Sequence, residues 1–463
     1  MSVPIQTNHW NSYTAYDVNY WPSLKESLTI LKENPTLKDL KELILKYLNK
    51  TKLYGPQYAA TSGSSSRDIP DQKDLKTLAT VISQEEKGFI EEIIPKICDI
   101  ALQLEDLFPD GELKILEQTT NQEISFNRLQ VACLVSHMFF CTFLPCEKLK
   151  YSYEGHFCGD VSPTGPITFR YWHTTLQKPT ILYMKSLFNY FKDICNTPIE
   201  QLKSQTITYS RKNLDFNESP EPIWECSEKR IITVNSHLTG SIGDHGSHVE
   251  MDFANANVGF GTTGTQEEII LGTSPESCPI VLFNERLKQT EAILIQGAKR
   301  YASFEGYGFS VKYTGPFVED GRDWTKRQIL AMDALWGPGD EGRQLRDVFL
   351  KRELNKAYCA FSMVAGEIVD SGHWGCGAFG GNKGIKSILQ IMAASDADLK
   401  SLEFYCFKEK DFHNVFSTVL KLIKEKNLMV GDLWKLFKKY GKSGVANSDL
   451  GFLNFLKNDL SKL

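Results

Sequence analysis

Hydrophobic residues in the first part of the chain recur at the three- and four-residue spacing of amphipathic helices. The segment 24–195 follows this pattern through most of its length, as expected when one face of each helix packs on a core. One example is the row Leu37, Leu40, Leu43, Ile44, Tyr47 and Leu48. A Ser- and Gly-rich stretch at 62–71 and a Gly- and Pro-rich stretch at 154–166 predict connecting loops. We therefore predict a mainly helical domain over residues 1–210.

The pattern changes after about residue 210, where short runs rich in apolar residues alternate with helical segments. Strands are predicted at 230–234, 249–253, 292–295 and 402–407. Helices are predicted to begin near Thr265, Gly339, Asn382, Asp411 and Val430. Strands separated by helices are typical of a layered α/β sheet. We therefore predict an α/β domain over residues 211–463.

Composition and charge narrow the class of protein only slightly. The 463 residues are 41% hydrophobic and 24% charged, which is an ordinary globular composition. The formal net charge of −5 argues against binding through a nucleic-acid backbone, so no sequence-specific nucleic-acid partner is expected. Because no apolar run reaches the ~18 residues that a membrane span needs, no membrane partner is expected either.

The cysteines and histidines do not form a recognisable metal-binding pattern. The eleven cysteines lack the paired spacing of a zinc site. Their odd number, in a chain without a secretory leader, favours reduced thiols and a cytoplasmic or nuclear protein. Asp244, His245 and His248 suggest a metal cluster, but a polar hairpin tip is the favoured interpretation. No metal or other cofactor is predicted.

A first glycine-rich loop leads into two adjacent carboxylates. Gly259 and Gly261 lie in this loop, and Glu267 and Glu268 follow it at the start of a predicted helix. Such a pair can hold a sugar while one carboxyl group donates a proton, which is the chemistry of glycoside cleavage. A general acid of this kind needs a raised pKa, which a neighbouring carboxylate helps to produce. The alternative is that both are first-turn acids stabilised by the helix dipole.

A second glycine-rich loop spans residues 372–381 and precedes another predicted helix. Its glycines are Gly372, Gly375, Gly377, Gly380 and Gly381. Main-chain N–H groups and a helix N-terminus would converge here, which predicts an anion site suited to a pyrophosphate. A turn of this kind also occurs without a ligand. A Rossmann-type oxidoreductase is disfavoured, because no Gly-x-Gly-x-x-Gly motif follows an early strand.

Both loops resemble signature motifs of the poly(ADP-ribose) glycohydrolase family. The similar segments are 138–143, 252–255, 259–261, 266–268, 351–359, 372–381 and 429–436. They include Asp-Phe-Ala-Asn at 252–255, Gln-Glu-Glu at 266–268 and Trp-Gly-Cys-Gly-Ala-Phe-Gly-Gly at 374–381. The resemblance implies a macrodomain-like three-layer α/β core preceded by an all-α accessory domain. It also implies hydrolysis of ribose–ribose O-glycosidic bonds in poly(ADP-ribose), with release of ADP-ribose.

The resemblance assigns roles to individual residues. Glu268 would be the general acid and then the base, while Glu267 and Asn255 would orient substrate hydroxyls. The other implied substrate contacts are Gln266, Gly259 and Gly261 in the first loop, Gly375, Gly377, Ala378 and Gly380 at the phosphates, Phe379 at the distal ribose, and Tyr307, Phe407 and Ile242 at the adenine. The expected partner is poly(ADP-ribose) or ADP-ribose. Taken as isolated aromatics, Tyr307, Phe407 and Phe379 are also compatible with the core.

Departures from the family motifs support a second interpretation. Phe260 stands inside the glycine triplet, where it is expected to fill space that the substrate needs. Only residues 262–265 separate this loop from Gln266, and displacing the acid by about 1 Å can cost about 10²-fold in rate. His373 replaces an Asn, and Gly243 replaces an acidic residue. The alternative function is a catalytically impaired macrodomain that binds ADP-ribose or serves as a scaffold.

Overall fold

A computed structural model describes residues 2–4, 20–52, 74–85, 88–143, 167–216, 221–444 and 447–462. The loops predicted at 62–71 and 154–166 lie outside these residues. In the part of the chain that the structure describes, no helix is both long enough and apolar enough to cross a membrane.

The first half of the chain is mainly helical, as predicted. Its helices are α1 (Tyr20–Glu33), α2 (Leu37–Lys52), α3 (Lys76–Gln84), α4 (Ile94–Leu102), α5 (Leu104–Leu107), α6 (Arg128–Phe139), α7 (Arg170–Thr174), α8 (Lys178–Asn196) and α9 (Ile199–Ser204). Helix α6 begins at a capping box, in which Asn127 and Gln130 each bind the other's main-chain N–H group. Four strands also lie here: β1 (Ser2–Pro4), β2 (Glu112–Lys114), β3 (Gln122–Asn127) and β4 (Thr206–Asn213).

The second half alternates strands and helices. The strands are β5 (Thr233–His237), β6 (Val249–Asp252), β7 (Glu291–Gln296), β8 (Ala302–Glu305), β9 (Lys312–Pro316), β10 (Gln328–Ala331), β11 (Ile368–Ser371) and β12 (Ser401–Tyr405). The helices are α10 (Gln266–Gly272), α11 (Glu341–Gln344), α12 (Asp347–Phe361), α13 (Lys383–Asp396), α14 (Lys410–Glu425), α15 (Val430–Lys442) and α16 (Gly451–Leu460). Each predicted helix start lies within two residues of an observed one. The four predicted strands overlap β5, β6, β7 and β12, although β5 begins three residues later than predicted.

Eight of the described strands form one mixed sheet, in the order β3-β4-β7-β10-β6-β11-β12-β5. Strands β10, β6, β11, β12 and β5 run parallel, whereas β3, β4 and β7 pair antiparallel. The fold class is therefore confirmed, with the addition that β3 and β4 come from the mainly helical half. The boundary predicted after residue 210 falls inside β4 and stays a prediction.

The sheet separates two hydrophobic cores. Successive residues of β7 show this most directly: Ile293 and Ile295 belong to the core shared with the N-terminal helices, whereas Ala292 and Leu294 belong to the opposite core. Side chains of a strand alternate between the two faces of a sheet, and both faces of β7 are buried. Helices α12 to α16 cover the opposite face. The result is a three-layer arrangement in which the N-terminal helices form part of one outer layer.

Candidate active site

The candidate residues follow parallel strands whose carboxyl ends meet at one edge of the sheet. Strand β6 leads into the first glycine loop, β11 into the second and β12 into Phe407. A β-carbon added to Gly372 would lie 2.9 Å from the Tyr405 carbonyl oxygen, 3.6 Å from Phe407 Cε2 and 3.7 Å from Phe253 Cζ. The three strand ends are therefore in mutual contact. Ligands of open α/β sheets bind at such an edge.

Glu268 lies in the first turn of α10, against the first glycine loop. Its Oε2 accepts hydrogen bonds from the Thr265 N–H group at 3.3 Å and from the Thr263 hydroxyl. With Thr265 as N-cap, this arrangement forms a capping box. A β-carbon added to Gly261 would overlap Oε1 of Glu268 and lie 2.7 Å from its Cδ. Glycine at this position therefore leaves the room that the half-buried carboxylate occupies.

Glu267 is buried and binds the main chain of the same loop. Its Oε2 accepts a hydrogen bond from the Asn255 N–H group at 2.9 Å, and its Oε1 accepts one from Gly259 at 3.0 Å. The side-chain oxygen of Asn255 in turn accepts a hydrogen bond from the Asn257 N–H group at 2.9 Å. These contacts fix the path of the chain between β6 and Gly259.

Both polar atoms of the Gln266 side-chain amide form hydrogen bonds with the main chain at the end of β6. Its Oε1 accepts a hydrogen bond from the Phe253 N–H group at 2.7 Å, and its Nε2 donates to the Met251 carbonyl at 2.6 Å. The side chain thus ties the start of α10 to the sheet. In this arrangement it positions the two glutamates that follow it.

Asp252, which sequence reasoning quoted only as part of a motif, is a further residue of this site. Its side chain is fully buried, and neither carboxylate oxygen has a hydrogen-bond partner among the described residues. Burial raises its pKa to about 8. Burial, and repulsion from Asp252 when that carboxyl group is ionised, raise the pKa of Glu267 well above its usual value. Because only Glu267 receives N–H donors, we place the negative charge of the pair on Glu267 and the proton on Asp252.

The N-terminal helices hold the first glycine loop in place. The indole Nε1 of Trp172 donates a hydrogen bond to the Gly261 carbonyl at 2.7 Å. The Tyr183 hydroxyl donates to the Thr263 carbonyl at 2.5 Å. From the other side, the Gly308 N–H group donates to the Gly264 carbonyl at 2.8 Å. The end of the loop and the short spacer before α10 are thus held through the carbonyls of Gly261, Thr263 and Gly264.

The prediction that Phe260 fills the substrate space is wrong. Its side chain is only 4% exposed, and its ring lies 5.0 Å from each of the rings of Phe169 and Trp172. Burying a phenylalanine in such a cluster is favourable by about 1.5–3 kcal/mol, so the ring turns into the core. Phe260, the residue that departs from the glycine triplet, therefore anchors the loop to the helical half.

The second glycine loop offers main-chain donors at an exposed turn. The N–H groups of Gly377, Ala378 and Phe379 have no acceptor among the described residues. The loop closes through the Gly381 N–H group, which donates to the Gly375 carbonyl at 2.9 Å. Gly375 and Gly380 have φ values of 70° and 74°, which favour glycine. Free N–H groups next to the start of α13 are the geometry that suits an anion.

A buried ion pair between α12 and α13 packs against the second loop. The fully buried Trp374 donates a hydrogen bond from its indole to the Met332 carbonyl at 3.2 Å. Lys386 Nζ lies 3.3 Å from the centre of that indole and forms an ion pair with Glu353. Burial lowers the pKa of Lys386 well below its usual value. This packing gives the exposed turn a rigid base.

The predicted adenine-binding aromatics lie together at the mouth of the site. The side chains of Tyr307 and Phe407 are 50% and 45% exposed, and their ring centres are 6.1 Å apart. Neither residue therefore belongs to the core. Ile242 is half-buried in the loop after β5, where the next N–H group, that of Gly243, donates to Asp370 Oδ2 at 3.2 Å.

The segment that contains His245 and His248 is not the hairpin tip that the sequence predicted. His248 Nδ1 pairs with Asp370 Oδ1 at 2.7 Å in a loop that is not a hairpin, because two strands separate β5 from β6. The side chain of His373 is 9% exposed, and its ring lies 4.7 Å from that of Phe412. Burial lowers its pKa to about 4. Among the described residues, no cluster of three or more His, Cys, Asp or Glu side chains could hold a metal ion.

The fold and the site together define a macrodomain joined to a helical domain. Residues 221–414 match the family model for the macro domain fold of poly(ADP-ribose) glycohydrolase, and residues 82–211 match the model for its helical domain. These two matches span most of the chain. The protein therefore belongs to the poly(ADP-ribose) glycohydrolase family, which is a family of glycosidases.

Curated relatives agree with this assignment. The chain is 27% identical to "Probable poly(ADP-ribose) glycohydrolase 2" of Arabidopsis thaliana, over 82% of this chain and 84% of the relative. It is 26% identical to "Poly(ADP-ribose) glycohydrolase 1" of Caenorhabditis elegans, over 79% of this chain and 46% of that longer protein. It is 23% identical to "Poly(ADP-ribose) glycohydrolase 1" of Arabidopsis thaliana, over 82% of this chain and 83% of the relative.

Proposed function

We propose that the protein hydrolyses ribose–ribose O-glycosidic bonds in poly(ADP-ribose) and releases ADP-ribose, with Glu268 as general acid and base. The observation that carries this proposal is the position of the Glu268 carboxylate against Gly261, at the sheet edge that also carries the second glycine loop. An acid and an anion site at one edge match a substrate with a scissile sugar bond next to a pyrophosphate.

In the proposed reaction, the protonated Glu268 donates its proton to the leaving ribose oxygen as the glycosidic carbon–oxygen bond breaks. Water then adds to the oxocarbenium carbon, and the Glu268 carboxylate accepts the proton that this water loses. The ionised Glu267 faces the same loop and holds it through two N–H donors. Asp252 keeps its proton, so that the buried pair carries one negative charge rather than two.

The remaining contacts account for binding. The free N–H groups of Gly377, Ala378 and Phe379 would bind the pyrophosphate, as glycine loops before helices do. Tyr307 and Phe407 would stack on the adenine, an interaction worth roughly 1–3 kcal/mol per base. Ile242 would line the adenine site, and Asn255 would orient ribose hydroxyls together with Glu267.

The competing function is an impaired macrodomain that binds ADP-ribose without cleaving it. The main argument for it was that Phe260 blocks the site, but this ring packs against Phe169 and Trp172. The spacer before α10 is short, but Glu268 still lies next to the loop, because its carboxylate is in contact with Gly261. These observations support catalysis over binding alone.

The test compares the unmodified protein with Glu268→Gln on purified poly(ADP-ribose). We expect release of ADP-ribose by the unmodified protein, loss of release in the variant, and an ADP-ribose-induced rise in Tm for both proteins. Glu200→Gln, at a well-exposed side chain of α9, is the matched control and should retain activity. Binding of ADP-ribose without release by the unmodified protein would establish the impaired macrodomain instead.

A further inference from the structure

Trp336 is an exposed indole next to the second glycine loop. It lies between β10 and α11, with 47% of its surface exposed. Its ring centre is 4.9 Å from that of Phe379, at an interplanar angle of 66°. Phe379 is the loop residue assigned above to the distal ribose. An exposed large aromatic beside a candidate ligand site is a natural stacking surface for a base.

The chain on both sides of Trp336 is fixed. The N–H group of Leu335 donates to Glu353 Oε1 at 3.1 Å, and that of Gly337 donates to the Phe379 carbonyl at 3.0 Å. Glu353 is the carboxylate that pairs with Lys386 under the loop. Trp336 is therefore carried on the same rigid base as the anion site, so that little conformational entropy would be lost when a ligand stacks on it.

The polymer places a base close to this position. In poly(ADP-ribose), the bond that is cleaved joins one ribose to the adenosine ribose of the neighbouring unit. If Phe379 contacts the ribose on one side of that bond, the base of the leaving adenosine lies one sugar away. Tyr307 and Phe407 are already assigned to the adenine of the released unit, which leaves the second adenine to a different surface.

Arg343 places a cation seven residues after Trp336 in the chain. Arg343 is exposed, and a β-carbon added to Gly339 would lie 2.7 Å from its Cδ. Its guanidinium is 5.1 Å from the ring centre of Phe349, and it forms no ion pair with a described residue. It is thus placed to attract the phosphates that follow the second adenosine.

We infer that Trp336 forms a second adenine subsite, which stacks on the base of the leaving ADP-ribose unit. The inference rests on the proposed function, because only a polymeric substrate supplies this second base. The subsite would bind chains of two or more units more tightly than ADP-ribose itself. It would thereby favour polymer over free product.

The experiment measures binding of ADP-ribose and of a two-unit ADP-ribose chain to Glu268→Gln, with and without a change at Trp336. We expect Trp336→Ala to weaken binding of the two-unit chain by roughly 5- to 100-fold, the range of one base stack, and to leave binding of ADP-ribose unchanged. Trp336→Phe should retain most of the affinity for the two-unit chain. Ile199→Ala, an exposed apolar residue on α9, is the control.

The possible outcomes separate this inference from the proposed function. An unchanged affinity for the two-unit chain would overturn the subsite. An equal loss for both ligands would also overturn it, because Trp336 would then act by holding Phe379. If the unmodified protein binds ADP-ribose without cleaving the polymer, the catalytic proposal fails while the comparison of the two ligands still decides the subsite. If it binds neither ligand, both proposals fail.

Discussion

The sharpest test of the site geometry is the substitution Gly261→Ala. A β-carbon at this position would overlap Oε1 of Glu268 and lie 2.7 Å from its Cδ. Non-bonded carbon atoms prefer a separation of about 3.5–4 Å, so the carboxyl group would have to withdraw by roughly 1 Å. The backbone at Gly261 does not lie in the left-handed region, so the added methyl group acts through this contact alone.

The expected effect falls on the rate more than on stability. A displacement of about 1 Å in a catalytic group can cost about 10²-fold in rate, and we expect kcat to fall by about that factor. The half-buried Glu268 side chain can turn aside, but its hydrogen bond to the Thr265 N–H group is then lost. Loss of such a helix cap costs about 0.5–2 kcal/mol in the free energy of unfolding.

The assay is ADP-ribose release from the polymer at saturating substrate, together with the Kd of ADP-ribose and the Tm of the variant. Gly342→Ala is the matched control, because a β-carbon there meets Asp340 Oδ1 at an ordinary 3.4 Å. We expect this control to retain kcat and Tm. A Gly261→Ala variant with a kcat near that of the unmodified protein would refute the position assigned to Glu268. A variant that loses ADP-ribose binding as strongly as activity would refute the argument that the contact acts on the acid.

Two further predictions concern the buried groups of the site. The pKa of Asp252 is raised from 3.8 to about 8, so the folded state binds more protons than the unfolded state in this interval and loses stability as the pH rises through it. Asp252→Asn should weaken this dependence in denaturant unfolding at a series of pH values, and parallel profiles would contradict the assignment. Phe260→Ala should lower the free energy of unfolding by about 3–5 kcal/mol and lower activity with it. Phe309→Ala, at an exposed ring, is its control, and equal stabilities would show that Phe260 is not an anchor.

Local patterns predicted the parts of the fold that local forces determine. Helix starts were predicted near Thr265 and Asn382, and these two residues are the N-caps of α10 and α13 in the structure. The second glycine loop was predicted to precede a helix, and the positive φ values of Gly375 and Gly380 in this loop favour glycine. The mixed sheet was less predictable: its strands β10 and β11 were missed, and β3 and β4 join it from the mainly helical half.

The parts of the site that sequence reasoning missed depend on contacts between distant segments. Phe260 points into the core because Phe169 and Trp172, about ninety residues earlier, provide an apolar partner. The pKa of Asp252 is raised because its carboxyl group is buried without hydrogen-bond partners among the described residues. Neither environment can be read from spacing along the chain. An acidic residue at the end of a predicted buried strand was the one feature that could have drawn attention to Asp252.

The helical half of the protein contributes to the candidate active site, since it contacts the glycine loop beside Glu268. Trp172 on α7 and Tyr183 on α8 donate hydrogen bonds to the carbonyls of Gly261 and Thr263, and Phe260 between them is buried in the same half. Because Glu268 lies against Gly261, a shift of these helices would move the glycine relative to the acid. The macrodomain supplies the sheet edge and the anion site, while the helices fix the loop beside the acid. The position of Glu268, the proposed general acid, therefore depends on both halves of the protein.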